Sequence, residues 1–168
     1  MASGLARLIV GSDPRRTLVR IGVLVVAAWL LITYGILSVR GQGPSMLPTV
    51  QDGQLMIVDT VSYRIRRPRR GELAAVRWED DRAVLIKRIL AGPGDIIEIA
   101  DGVVTVNDVA LAEPYVQHRA RWNMGATTLT PGQFFVVGDN RGMPMAQHTL
   151  GTVDLADLIG PVFWIVGR

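Results

Sequence analysis

Apolar and polar positions divide the chain into two textures. Residues 21–39, IGVLVVAAWLLITYGILSV, run for 19 positions without a charge before Arg40. At about 1.5 Å per residue, a helix of that length spans roughly the hydrocarbon core of a bilayer. A cleaved leader is the competing reading, but such leaders carry an apolar region of only about 7 to 15 residues, and no small-x-small cleavage site follows before Arg40. The pattern therefore predicts a retained membrane anchor over 21–39. After it, short β-like runs at 54–58, 73–78, 83–90, 95–99, 103–106, 134–137 and 162–166 alternate with turn residues. Asp101-Gly102 is a hairpin signal and Asn107-Asp108 a weaker second one. Residues 112–132 show little periodicity and read as a long loop. The expectation is a mainly β, antiparallel domain over 41–168, preceded by one transmembrane helix and a basic tail over 1–20.

Charge orients this arrangement. The first twenty residues carry four arginines against one aspartate, whereas the residues after Arg40 carry 13 basic and 14 acidic side chains. A basic leader before a first span keeps the N-terminus cytoplasmic, which puts the β domain on the other side of the membrane. Nucleic acid is not an expected partner: the only basic cluster in the domain, RIRRPRR at 64–70, is short, broken by Pro68 and free of interleaved aromatics. It reads as a solvated loop, with anionic lipid headgroups as the alternative contact. The absence of cysteine excludes disulfides, thiolate catalysis and cysteine-type zinc sites. Nothing in the sequence suggests a metal or an organic cofactor. Trp122 and Trp164 are candidates for the bilayer interface, although the run VFWIV at 162–166 assigns Trp164 more readily to the core.

Seventeen of the 18 basic residues are arginine, and the one lysine, Lys87, lies in the apolar run 83–90. An ammonium taken out of water can lose its proton and act as a base, whereas a guanidinium stays charged. On a strand Lys87 shares a face with Leu85 and Ile89, and Arg88 points the other way with Val84 and Ile86. An arginine-biased composition with one surviving lysine that snorkels to solvent accounts for Lys87 equally well. Just after the anchor, GQGPSMLPT at 41–49 brackets Ser45 with glycine and proline. Such a path can expose both a hydroxyl and nearby amide N–H groups, although a linker turn would use the same residues. A serine nucleophile needs a base, and a lysine kept neutral by apolar surroundings is one recognised choice. His118 or His148 with Asp139 would be another, but no Gly-x-Ser-x-Gly elbow is present and both histidines lie in polar, loop-like contexts.

The order of motifs breaks the tie. GPSMLPT at 43–49, QLMIVDTVSYRIRRPRRGELAAVRW at 54–78, IKRILAGPGDIIEI at 86–99, VTVNDVALAEPYV at 104–116 and FFVVGDNRG at 134–142 follow an N-terminal apolar segment. This ordered set resembles type I signal peptidases, membrane-anchored serine/lysine endopeptidases that remove leader peptides from exported proteins. The resemblance implies that Ser45 is the nucleophile and Lys87 the general base. It implies an oxyanion hole built largely from backbone, including the Ser45 N–H, with Gly43 where some relatives place an assisting hydroxyl. Met46 and Pro48 would shape the floor of the substrate pocket, and Arg88, Asp139, Asn140 and Arg141 would brace the site. Preproteins are the implied substrates and a phospholipid membrane the implied partner. The last motif departs from the family pattern: Pro144, Ala146 and His148 stand where a serine, an aspartate and an arginine are usual. That serine normally orients the lysine amine, and Thr149 or His148 from a shifted loop is the candidate substitute. A catalytically silent anchored β domain that binds exported peptides, a self-cleaving repressor-type protease, and a peptidase dedicated to one secretion or pilus system are the competing readings.

Overall fold

The computed structural model describes residues 14–78 and 83–167. The chain divides into two compact units, Met1–Ile36 and Leu37–Arg168. The first contains helix α1 (Pro14–Gly35). Among the described residues no helix is long and apolar enough to cross a membrane. The apolar run predicted one helix through residue 39, but the helix stops at Gly35 and Ile36–Arg40 forms strand β1. Hydropathy could not place this end, because ILSV suits a buried strand as well as a lipid-facing helix.

The second unit is antiparallel β. Strands β2 (Leu55–Asp59), β3 (Leu73–Trp78), β4 (Ala83–Ala91), β5 (Ile96–Ala100), β6 (Val103–Val106), β9 (Gln133–Val137) and β11 (Leu158–Ile165) answer the seven predicted runs. Both hairpin signals form turns with positive φ at the two central residues: 47° and 78° at Asp101 and Gly102, and 53° and 64° at Asn107 and Asp108. These values match the twist that two-residue hairpins require. Gly102 has a second reason to be glycine, since a Cβ there would lie 2.4 Å from the Ala120 carbonyl oxygen.

Among the described residues, with β7 at Val109–Ala110, β8 at Met124–Thr128 and β10 at Gly151–Asp154, one sheet of seven strands runs in the order β1-β2-β11-β3-β4-β9-β10, and one of four in the order β7-β6-β5-β8. Besides β1, three of these strands were not predicted. Strand β7 (Val109–Ala110) has two residues, β8 (Met124–Thr128) is MGATT and mostly exposed, and β10 (Gly151–Asp154) is GTVD at a sheet edge. Edge strands of small and polar residues carry no alternation to read. The supposed loop 112–132 therefore contains a strand. Strand β11 was also longer than predicted, because Gly160 and Pro161 lie inside it. The register shifts between Leu158 and Gly160, and irregularities of this kind are where a sheet tolerates proline. A Cβ at 160 would fall 1.8 Å from the Asp59 carbonyl oxygen, so the chain packs there only as glycine.

The predicted alternation becomes three buried clusters. Ile97, Ile99, Val104 and Val106 from the small sheet pack with Leu90, Phe135, Val137 and Trp122. Ala74, Val76, Ile89, Phe134 and Val136 form a second cluster, and Met46, Val50, Met56, Val58, Ala75 and Ile86 a third. Trp122 is thus a core residue, 3% exposed, whereas Trp164 is 63% exposed. The two tryptophans exchange the places that their local sequences suggested, because neighbouring residues do not reveal which sheet face is covered. Strand β4 is buried continuously from Ile86 to Ala91. Both faces of it are covered, so Lys87 and Arg88 are buried together although they alternate in direction.

Candidate active site

The loop between β1 and β2 presents Ser45. Gly43 adopts φ 79°, and its N–H donates to Asp52 Oδ1 at 2.8 Å. The next turn closes with Leu47 N–H on the Pro44 carbonyl at 3.1 Å and Val50 N–H on that of Met46 at 3.0 Å. Met46 and Val50 are driven into the third cluster, which fixes the backbone and leaves Ser45 half-buried between them and solvent. The Ser45 carbonyl accepts from the Asn140 N–H at 3.0 Å, and the Asn140 side-chain amide donates to the Pro44 carbonyl at 3.0 Å. Asn140 thereby clamps the backbone on the N-terminal side of the hydroxyl and at it. The Gly43 N–H, engaged by Asp52, is not free to receive an oxyanion. The Ser45 N–H has no hydrogen-bond partner among the described residues.

Lys87 comes to this loop from the middle of β4, across 42 residues of sequence. Its Nζ lies 3.3 Å from Ser45 Oγ and the residue is 2% exposed. Burial pulls the amine down from its usual range to about 8, against an opposing pull from Asp139. An amine of that affinity is neutral for a useful fraction of the time near neutral pH and can take a proton from a hydroxyl within reach.

Asp139, 1% exposed, ties three segments together. Arg88 donates to it twice, Nε to Oδ1 at 2.8 Å and Nη2 to Oδ2 at 2.6 Å, and Thr49 Oγ1 donates to Oδ2 at 2.5 Å. Arg88 also donates to the Gly71 carbonyl at 2.6 Å and lies 3.8 Å above the Tyr115 ring. A planar guanidinium suits a fork, a carbonyl and a ring face at once, which a lysine could not satisfy. Arg141, 2% exposed, donates to Glu113 Oε1 at 2.6 Å and to the Gly138 carbonyl at 2.9 Å, and Tyr115 donates to the same Glu113 oxygen at 3.1 Å.

Ser45, Lys87, Arg88, Asp139, Asn140 and Arg141 therefore gather around one place. Gly43, Ser45, Met46, Ile86 and Lys87 line a cavity of about 320 Å³ together with β1 residue Val39. Pro48 does not; it faces a separate depression with Leu47, His118 and Asp139. The histidine alternative does not assemble. His118 is exposed, the His148 ring bonds the Asn140 carbonyl, and Asp139 is committed to Arg88 and Thr49. Sequence reading overlooked Thr49, Glu113 and Tyr115. The one available signal was a lone glutamate, followed by proline and tyrosine, within the largely apolar run 109–116, and its arginine partners only tertiary contact reveals.

A half-exposed hydroxyl facing a buried, weakly basic amine, on an antiparallel β scaffold, is the arrangement that a serine hydrolase needs if lysine stands in the place of histidine. Residues 15–166 match the family described as signal peptidase, peptidase S26. The chain belongs to that family, and it is a serine peptidase. It is 31% identical to the probable signal peptidase I-2 of Synechocystis sp., over 94% of this chain and 78% of that one. It is likewise 31% identical to the signal peptidase I of Leptolyngbya laminosa, over 74% of this chain and 66% of the relative. Its fold is similar to the crystal structure of a signal peptidase I from Enterococcus faecalis, with a TM-score of 0.47 and 24% identity over 58% of this chain and 98% of the other.

Proposed function

We propose that this chain is a membrane-anchored endopeptidase that cuts N-terminal leader peptides from exported proteins, with Ser45 as nucleophile and Lys87 as general base. The observation that carries the reading is the 3.3 Å approach of a buried amine to the serine hydroxyl. Neutral Lys87 takes the Ser45 proton as the oxygen attacks the scissile carbonyl, and the resulting oxyanion meets the unoccupied Ser45 N–H. The protonated amine then delivers that proton to the leaving nitrogen. In the second half the neutral amine takes a proton from water, whose oxygen attacks the acyl-serine, and the amine returns that proton to the departing Ser45 oxygen as the acid is released.

Strand β4 supports an extended substrate. It pairs with β3 along Ala83 to Arg88 but with β9 only from Arg88 onward. Ala83 to Lys87 thus present an unpaired edge along the cavity, and a peptide added there as a strand would bring its carbonyl groups past Ser45. Met46 and Ile86 leave shallow apolar room, which suits small side chains before the cut.

The anchor reading rests on the uncharged part of α1, residues 21–35, and the arginines before it. Within α1, Leu18, Val19, Ile21, Val23, Leu24 and Trp29 are all more than half exposed, an apolar surface that lipid would cover. The N-terminus lies in the cytoplasm and the β domain outside it, where exported proteins emerge. Holding enzyme and membrane-bound substrate on one surface raises their encounter rate without any added contact. The test is a purified preprotein carrying a small-x-small leader, incubated with the full chain in detergent. Cleavage is expected from the parent and none from Ser45→Ala, Lys87→Ala or Lys87→Arg, since arginine does not release its proton. Substantial turnover by any of the three variants refutes the assignment.

A further inference from the structure

Two polar valences are left unmatched beside the nucleophile. Among the described residues the amine of Lys87 makes a single hydrogen bond, to Ser45, although the residue is 2% exposed. A neutral amine has two N–H groups besides its lone pair, and the lone pair is needed for the serine proton. The second is on His148, 8% exposed, whose Nε2 lies 2.9 Å from the Asn140 carbonyl oxygen. A carbonyl only accepts, so the proton sits on Nε2 and Nδ1 carries a lone pair. Nδ1 is buried and has no hydrogen-bond partner among the described residues. Buried acceptors without partners are rare and ask for a reason.

His148 is also held in place. A Cβ at position 138 would sit 2.2 Å from the Ser45 carbonyl oxygen and 2.5 Å from His148 Cε1, so the imidazole edge abuts the nucleophile's own backbone. Trp122 packs edge-on against the ring at 4.9 Å, and its Nε1 donates to the Met143 carbonyl at 2.8 Å, which fixes the loop that delivers the histidine. Burial lowers the proton affinity of His148, and the neighbouring Lys87 and Arg141 cations lower it further against the Asn140 bond. The ring is therefore kept neutral, as an acceptor must be.

We propose that His148 is a positioning residue for the general base: its Nδ1 accepts a hydrogen bond from the Lys87 amine through one bound water, which turns the amine lone pair toward the Ser45 hydroxyl. A buried donor and a buried acceptor, each with a valence unmatched beside Ser45, are groups that an ordered water joins. The inference rests on the serine–lysine reading above, and the experiment separates the two. Cleavage by the parent and its loss in Ser45→Ala test that reading alone; a folded parent that leaves the preprotein uncut would sink both. His148→Gln keeps a donor at the Nε2 position and deletes the Nδ1 acceptor, whereas His148→Asn keeps an acceptor at the Nδ1 position and deletes the bond to Asn140. The expected result for His148→Gln is a melting temperature close to the parent's, an unchanged KM and a kcat lower by about 10- to 100-fold, the scale of a misaligned catalytic group. His148→Asn should melt lower yet retain more kcat than His148→Gln. Parental kcat in His148→Gln, or kcat that merely follows melting temperature across the two variants, would overturn the proposal.

Discussion

Replacing Lys87 with methionine should abolish cleavage and at the same time stabilise the protein. Methionine keeps the length of the side chain and removes its charge. The amine falls from 10.5 to about 8 because burial disfavours the ammonium. At 1.36 kcal/mol per unit, this depression costs the fold about 3 kcal/mol wherever the folded amine is protonated as well as the unfolded one. For a base held below its unfolded value, that cost is complete below about pH 8 and disappears as pH rises through 10.5. Lys87→Met leaves Ser45 without its partner, a loss of about 1 kcal/mol at a site water can reach. The net gain at pH 7 is about 2 kcal/mol, or roughly 4–8 °C in melting temperature for a chain of this size. Urea unfolding of the full chain, followed by tryptophan fluorescence at pH 7, 9 and 11, measures it. The quantity to follow is the difference between parent and variant, which cancels the other titrating groups. That difference should shrink toward the Ser45 term by pH 11. A variant no more stable than the parent at pH 7, or a difference independent of pH, would show that the lysine is not desolvated and would remove the physical basis of its role as a base.

Two further outcomes follow from the same geometry. Turnover should climb with pH and level off above about 8, because only the neutral amine accepts the serine proton; a profile flat from pH 6 to 9, with chemistry rate-limiting in single turnover, would contradict this. Gly138→Ala should reduce kcat by at least about 100-fold, since the new methyl would lie 2.2 Å from the Ser45 carbonyl and displace the nucleophile's backbone; parental turnover with a parental melting temperature would show that the loop yields freely.

Much of the site was legible before any fold was known, and what was legible has a common character. Ser45 and Lys87 are chemically unusual in place: a serine framed by glycine and proline, and the only lysine of the chain within an apolar run. Arg88, Asp139 and Asn140 stood beside these signals in recognisable motifs. Glu113 and Tyr115 carried a weaker mark, a single carboxylate within the apolar run 109–116, and such a carboxylate ordinarily turns to solvent. Glu113 is 5% exposed only because Arg141 reaches it from 28 residues away. His148 was noticed as a departure from pattern, but its neutral tautomer depends on an Asn140 carbonyl that no local rule supplies.

The strands follow the same division. Short β-like runs bounded by turn residues were enough to find β2, β3, β5 and β6, and residue type was enough for the two hairpin turns, because both are decided by close neighbours in sequence. The end of α1, the course of β11 through Gly160-Pro161, and the exchange of places by Trp122 and Trp164 were decided by contacts between distant segments. By itself the sequence determined which chemical groups exist and what their immediate backbone could do. Only the folded sheet could bring β4 against the Ser45 loop, cover both of its faces and so take one ammonium out of water, and a change in proton affinity of that kind is a property of surroundings that no residue carries in its own name.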